Sequence, residues 1–198
     1  MKGRQPFHRN ITTRPSAEQR GAALVVSLII LLVMTVIGVS AMKTTVLEEK
    51  MAANTRQRQI AFQAAEAALR DAETWIQTNI SSIADLGNFD GNTSNLYSQA
   101  ISVEGGIYAK ATPAFDTTNP SDWLSNGETI STSLSSVSVQ PRYIIEYLGR
   151  AGEPALEIST TQPDSRPHAF QITAIGWGQG SNPSAHYIVR SYYQLPLD

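Results

Sequence analysis

The stretch QRGAALVVSLIILLVMTVIGVSAMK, residues 19–43, decides how the rest of the chain is read. It holds no charged side chain from Gly21 to Met42. As a helix rising about 1.5 Å per residue, that run spans roughly 33 Å, against about 30 Å for a bilayer core. A cleavable secretory signal has an apolar region of only about 7 to 15 residues, closed by a small-residue cleavage site. This run is longer, and the polar residues after Met42 offer no such site. On length alone it reads as a membrane anchor that the protein keeps.

Charge on either side gives the anchor a direction. Before Gly21, five bases (Lys2, Arg4, Arg9, Arg14, Arg20) stand against one acid, Glu18. From Ala22 onward, ten bases stand against sixteen acids. A basic flank stays in the cytoplasm, so the C-terminal part is expected on the outer side of the membrane. The acidic remainder lacks the basic face of a nucleic-acid binder. There is no cysteine, hence no disulfide and no thiolate metal site. At 198 residues the chain has room for one domain beside the anchor.

Helix character continues past the apolar run. Between Ala22 and Leu86 there is no proline and one glycine, Gly38. These two residue types are the strongest helix breakers, so one continuous helix is expected from near Ala22 to near Ile80. In its second half Ala61, Ala65, Ala68, Leu69, Ala72, Trp75 and Ile76 recur at steps of three and four, an apolar stripe on a solvated helix. Phe62, Ala65, Leu69, Ala72, Trp75 and Ile76 are the expected packing residues. Glu66 and Arg70 add a favourable i, i+4 pair.

A basic leader ending at glycine, a retained apolar helix and a small following domain resemble a type IV pilin precursor. The run EKMAANTRQRQIAFQAAEAAL, residues 49–69, is similar to the N-terminal region of PilX-type minor pilins. The likeness covers residues 20–73 and returns more weakly in FQITAIGWG and AHYIVRSYYQ. It implies that a prepilin peptidase cuts between Gly21 and Ala22 and that Ala22 becomes the methylated N-terminus. The helix would then serve as membrane anchor and later as filament core. One position departs from the family pattern. Most pilins carry glutamate at the fifth mature residue, thought to pair with a neighbour's terminal amine, and here that position is Val26. A charged amine left unpaired in an apolar core is costly. Either this subfamily tolerates the loss, or the subunit occupies the filament tip, where no subunit above presents an amine.

The expected organisation is a leader (1–21), a membrane half of the helix (22–42), its amphipathic half (43–80), a polar connecting region (81–136) and an antiparallel sheet (137–198). The connecting region is rich in serine, threonine and asparagine, with turn signals at Asp90-Gly91 and Asn126-Gly127. GGIYAKA, residues 105–111, is a candidate edge strand. PRYIIEYLG, HAFQITAIGWG and AHYIVRSYYQL are β-branched and aromatic, and read as strands that bury one face against the helix. The fold class is α+β, the pilin roll in family terms.

Catalytic and ligand patterns are weak. His8 lies in the leader, and His168 and His186 flank strands without metal-ligand spacing, which reads as solvated strand ends. No G-x-S-x-G elbow is present. GWGQG, residues 176–180, precedes a strand rather than a helix and reads as a hairpin, not a phosphate loop. Asp85, Asn88, Asp90 and Asn92 form one calcium-like cluster. Gln99 stands where a loop would need its late acid, so the cluster reads as an Asx-rich turn and no metal is assigned. No enzyme activity and no cofactor are expected.

The resemblance implies a minor pilin that helps initiate type IV pilus assembly in the inner membrane and sits at or near the tip. Twitching motility and attachment are the functions it would support. Its partners would be other minor pilins, the major pilin, the prepilin peptidase and a tip adhesin. They would meet the helix stripe and the membrane segment, where Ser27, Thr35 and Gly38 are small or polar enough to face another helix. The alternatives are the tip pseudopilin of a type II secretion system and, in a different class, a signal-anchored periplasmic enzyme or sensor.

Overall fold

The computed structural model describes residues 18–93, 95–100, 110–152, 166–180 and 185–197. The chain divides into two units, Met1–Met51 and Ala52–Asp198. One helix, α1 (Glu18–Asn79), contributes to both. Within α1, Thr44 and Thr45 return their hydroxyls to the carbonyls of Ser40 and Ala41, and Thr74 and Thr78 do the same to Arg70 and Thr74. Its last turn closes when the Asn79 amide donates to the Trp75 carbonyl at 2.9 Å and the Ile80 N–H reaches Ile76 at 3.0 Å.

In the second unit, α1 lies on a mixed sheet of five strands: β1 (Leu96–Ser98), β2 (Glu128–Thr129), β3 (Arg142–Arg150), β4 (His168–Trp177) and β5 (His186–Leu195). Spatial order is β1-β3-β4-β5, with β2 also pairing β3. The three long strands run antiparallel, Glu146 opposite Gln171 and Gln171 opposite Tyr192. β1 pairs parallel to β3, Leu96 opposite Ile145, which departs from the fully antiparallel expectation. Both β1 and β2 arise inside the region read as a polar connection. Of the candidate edge strand at 105–111, residues 105–109 lie outside the described residues, and Ala111 bridges Ser98.

The helix reaches the sheet by giving up side-chain volume. Ala61, Ala64, Ala65, Ala68 and Ala72 are buried together with Leu69 and Ile76. Opposite them on β4, a Cβ added to Gly176 would sit 2.3 Å from both the Ala61 carbonyl oxygen and the Ala65 nitrogen. Glycine is required there because the helix backbone occupies the space of a side chain. Beyond the alanines the packing turns aromatic, with Phe89 against Trp75, Tyr147 and Phe170 at ring separations of 6.5, 6.2 and 5.6 Å.

Instead of the one buried face expected, the centre of the sheet is covered on both. Tyr143, Ile145 and Tyr147 of β3 belong to the helix-side core, whereas Ile144 packs with Ile175, Trp177 and Trp123 on the other side. Trp123 is fully buried; its indole N–H donates to the Thr117 carbonyl at 3.0 Å and its ring meets Phe115 edge-on. The Asn126-Gly127 turn closes over it. Gly127 has φ +77°, and a Cβ there would come within 3.1 Å of the Trp123 ring and of the Tyr143 carbonyl. The connecting region also touches the helix where the Ser131 N–H donates to Asp71 at 3.0 Å.

Gly176→Ala is therefore expected to destabilise the protein by about 2 kcal/mol or more, through forced separation of two backbones. Trp123→Ala is expected to cost about 3–5 kcal/mol through the cavity it leaves. Denaturant unfolding of the full chain in detergent, followed by tryptophan fluorescence for the first variant and circular dichroism for both, measures the two losses.

Candidate functional site

Residues 21–51 of α1 are exposed along their whole length, and nothing described in the first unit covers Leu24, Ile29, Leu32, Met34 or Ile37. So large an apolar surface marks an interface rather than a face for water. The helix is long and apolar enough to cross a membrane. Its polar side chains are fit for that medium, since the Ser27 hydroxyl donates to the Leu24 carbonyl at 2.8 Å and Thr35 to Leu32 at 2.7 Å. An unsatisfied hydroxyl in hydrocarbon would be expensive; these two carry their partners with them. Gly21 and Gly38 have open space where a Cβ would stand. Val26 is 54% exposed among apolar neighbours.

The residues expected to pack from α1 divide. Ala65, Leu69, Ala72 and Ile76 are buried on the sheet and Trp75 is half-buried. Phe62 is 42% exposed and meets only the rim, its ring edge-on to Tyr187 of β5 at 5.1 Å. The step from Ala61 to Ala65 puts the alanines on the sheet and turns Phe62 aside. The chain's own sheet thus occupies the stripe, which corrects the expectation that partners would bind along it.

Around the calcium-like cluster, the carboxylates already have donors. Asp85 accepts from the backbone N–H groups of Ser81 and Ser82 at 2.9 and 2.8 Å and from both hydroxyls. The backbone donors, chiefly Ser81, hold its carboxyl below the usual range. Asp90 accepts from the backbone N–H and amide of Asn92, which likewise lowers its pKa. Among the described residues no group of three or more His, Asp or Glu is placed to hold a metal.

The histidines behave differently from each other. His186 is exposed, as a strand-end residue would be. His168 is buried, which corrects the solvated reading: its Nδ1 lies 2.8 Å from the Tyr147 hydroxyl, under the aromatic core. β4 runs without a bulge against β5, so alternation puts His168 on the same face as Phe170, Ile172 and Ala174, toward the helix-side core.

One polar cluster had no sequence signal. Glu146 is buried on the face away from the helix, and its two oxygens accept from the side-chain amides of Gln99 and Gln171, each at 2.7 Å. Burial, and then this carboxylate, push the nearby Tyr97 phenol above its usual pKa. A polar groove opens over the cluster, lined also by Asp116 and Arg190.

A helix exposed along its apolar, membrane-length half and packed on a sheet along its other half is an anatomy that fits an assembly subunit. Comparison with family profiles agrees: "PilX N-terminal" matches residues 20–70, and "Type IV pilus assembly protein PilX C-term" matches residues 88–195. The chain belongs to the PilX family. It is accordingly a minor pilin, a structural component of type IV pilus assembly and not an enzyme. The one membrane-length apolar helix among the described residues and the family fit a single-pass inner-membrane protein that interacts with other pilus components. No curated protein and no solved structure matches the chain.

The Asp85 turn gives an acid-sensitive element whose sign is set. A carboxyl with a depressed folded pKa contributes stability above its ordinary value of 3.8 and loses it as pH falls through the depressed value. Asp85→Asn should therefore unfold at lower temperature than the parent at pH 7, and the difference should close in acid. Thermal melts at both pH values check it.

Proposed function

We propose that this minor pilin helps initiate type IV pilus assembly in the inner membrane and then sits at or near the pilus tip. The leader, residues 1–21, would be removed by a prepilin peptidase on the cytoplasmic side, leaving methylated Ala22 as the mature terminus. The surplus of basic residues before Gly21 supports that orientation.

Val26 is the observation that carries the tip reading. A pilin inside a shaft must neutralise the amine of the subunit above it, and the fifth mature position here offers only an isopropyl group. Nor does any acid follow before Glu48, so no nearby carboxylate substitutes. A terminal subunit has no such amine to meet, and the absence then costs nothing. The match of the C-terminal profile over residues 88–195 favours a pilus over a type II secretion pseudopilus. Priming would bring other minor pilins and the major pilin to the membrane segment, with a tip adhesin carried outward. Loss of the subunit would then reduce twitching and attachment.

Intact-mass and N-terminal analysis of the protein, from cells with and without a prepilin peptidase, is the first test. A methylated Ala22 terminus that disappears without the peptidase is expected; Met1 in both strains would overturn the processing step. Gold-labelled subunit should mark one end of sheared pili, and even labelling along shafts would end the tip assignment. A deletion strain with normal pilus numbers would end the priming role.

A further inference from the structure

We propose that the outer edge of β5 is a docking site for an extended strand of another pilus component, one that sets an acidic side chain opposite Arg190. The inference rests on membership in the assembly family and adds the surface and the chemistry of one contact.

β5 is the last strand of the described sheet, and its ten residues pair with β4 without a bulge. Hydrogen bonds on the far side of the sheet fix which of its backbone groups face out. The Ile145 N–H donates to Asn95 and the Tyr147 carbonyl accepts from Gln99, so these β3 residues point toward β1. Alternation then turns Ile144 and Glu146 toward β4, and turns Phe170, Ile172 and Ala174 of β4 toward β5. Their partners Tyr193, Ser191 and Val189 spend their backbone groups inward. The Gly178 N–H to Ala185 carbonyl bond, at 2.9 Å, falls in the same phase. The N–H and C=O groups of Ile188, Arg190, Tyr192 and Gln194 consequently point away from the sheet, and no described strand receives them.

A row of alternating donors and acceptors at strand spacing is matched by another extended backbone. Edges not meant for pairing are usually blunted by lysine, proline, a bulge or a covering element. β5 has no proline, no lysine and no bulge, and its one full charge is Arg190. Aromatic rings flank the edge on both faces: Tyr187, 45% exposed, stands with Phe62 on the helix side, and Tyr192, 66% exposed, stands on the other. They would lie against alternate side chains of an added strand, where such docking acquires its selectivity.

Charge distinguishes the occupant. Two copies of this chain joined antiparallel by a twofold axis through the middle of the edge would set Arg190 directly against Arg190, an unfavourable pairing. The same position favours a foreign strand with Asp or Glu at that rung. Among the described residues the side chain has a neutral hold, Nε to the Thr173 hydroxyl at 3.2 Å.

The test uses the full chain in cells that make pili, with photoreactive benzoylphenylalanine in place of Tyr192. A cross-link to an extended segment of another pilus component, mapped by mass spectrometry, is expected. Arg190→Pro removes an outward N–H while sparing the inward ladder, and should lower the cross-link roughly tenfold, the scale of one lost hydrogen bond with its charge. Should that variant fail to accumulate, Gln194→Lys probes the same edge without touching the ladder and should also lower the yield. Arg190→Glu should lose the cross-link and regain it when the facing acid of the partner is changed to arginine. Cross-links confined to this chain, whether to itself or to a second copy, would overturn the proposal. So would yields indifferent to Arg190→Glu and Gln194→Lys. If deletion abolishes pili but Tyr192 captures no pilus component, the edge proposal fails and the assembly role stands.

Discussion

The approach of the α1 backbone to Gly176 is the constraint on which the second unit depends. At a separation that excludes even a methyl group, every residue on the facing stripe of the helix must be small, and Ala61, Ala64, Ala65 and Ala68 are. Such contact gains dispersion energy from many close atom pairs and spends little side-chain entropy, because alanine has no rotamers to lose. It also fixes position. A leucine stripe could slide or repack, whereas backbone against backbone tolerates no alternative rotamer. Just before the stripe the same closeness recurs, with the Gln57 side-chain oxygen accepting from the Gln179 N–H at 2.6 Å.

Covering the second face of the sheet has a different purpose. The sheet centre carries Ile144 and Ile175 outward from the helix, and Trp123 seals them with the help of one glycine turn. Beside this plug lies Glu146, a buried carboxylate held by two amides rather than by a cation. Such a group stabilises only while both amides remain in place, so it ties β1's neighbour Gln99 to the centre of the sheet. Short, polar elements thereby acquire a defined position that their own side chains would not secure.

Legibility in the sequence followed the length of the pattern. Sixty residues nearly free of breakers announce α1, and β-branched and aromatic runs announce β3, β4 and β5, because burial and propensity act there in the same direction. β1 and β2 have three and two residues, too few for any period to register, and their pairing depends on β3 being in place. His168 was misread because strand ends are usually wet, whereas this one shares the inward face of Phe170 and Ile172 and lies under Tyr147. Phe62 was misread because it neighbours the alanine stripe in sequence but not in angle. Gly176 was visible as part of GWGQG, yet glycine in a strand does not say what approaches it. Of the assembly features, the membrane-length helix and Val26 were plain, since both are properties of composition. The open edge was not, because an edge exists only once strand order is known.

The hydroxyls of Ser27 and Thr35 bear on how the apolar helix changes surroundings. Each is bonded to its own helix, so the segment presents the same sealed exterior to acyl chains as to neighbouring protein. For these two side chains, a change from acyl chains to a protein interior breaks no polar bond and requires none to form. Along the apolar run such a change would be nearly level in hydrogen-bond energy and in hydrophobic energy alike, which leaves its direction to the fit between surfaces.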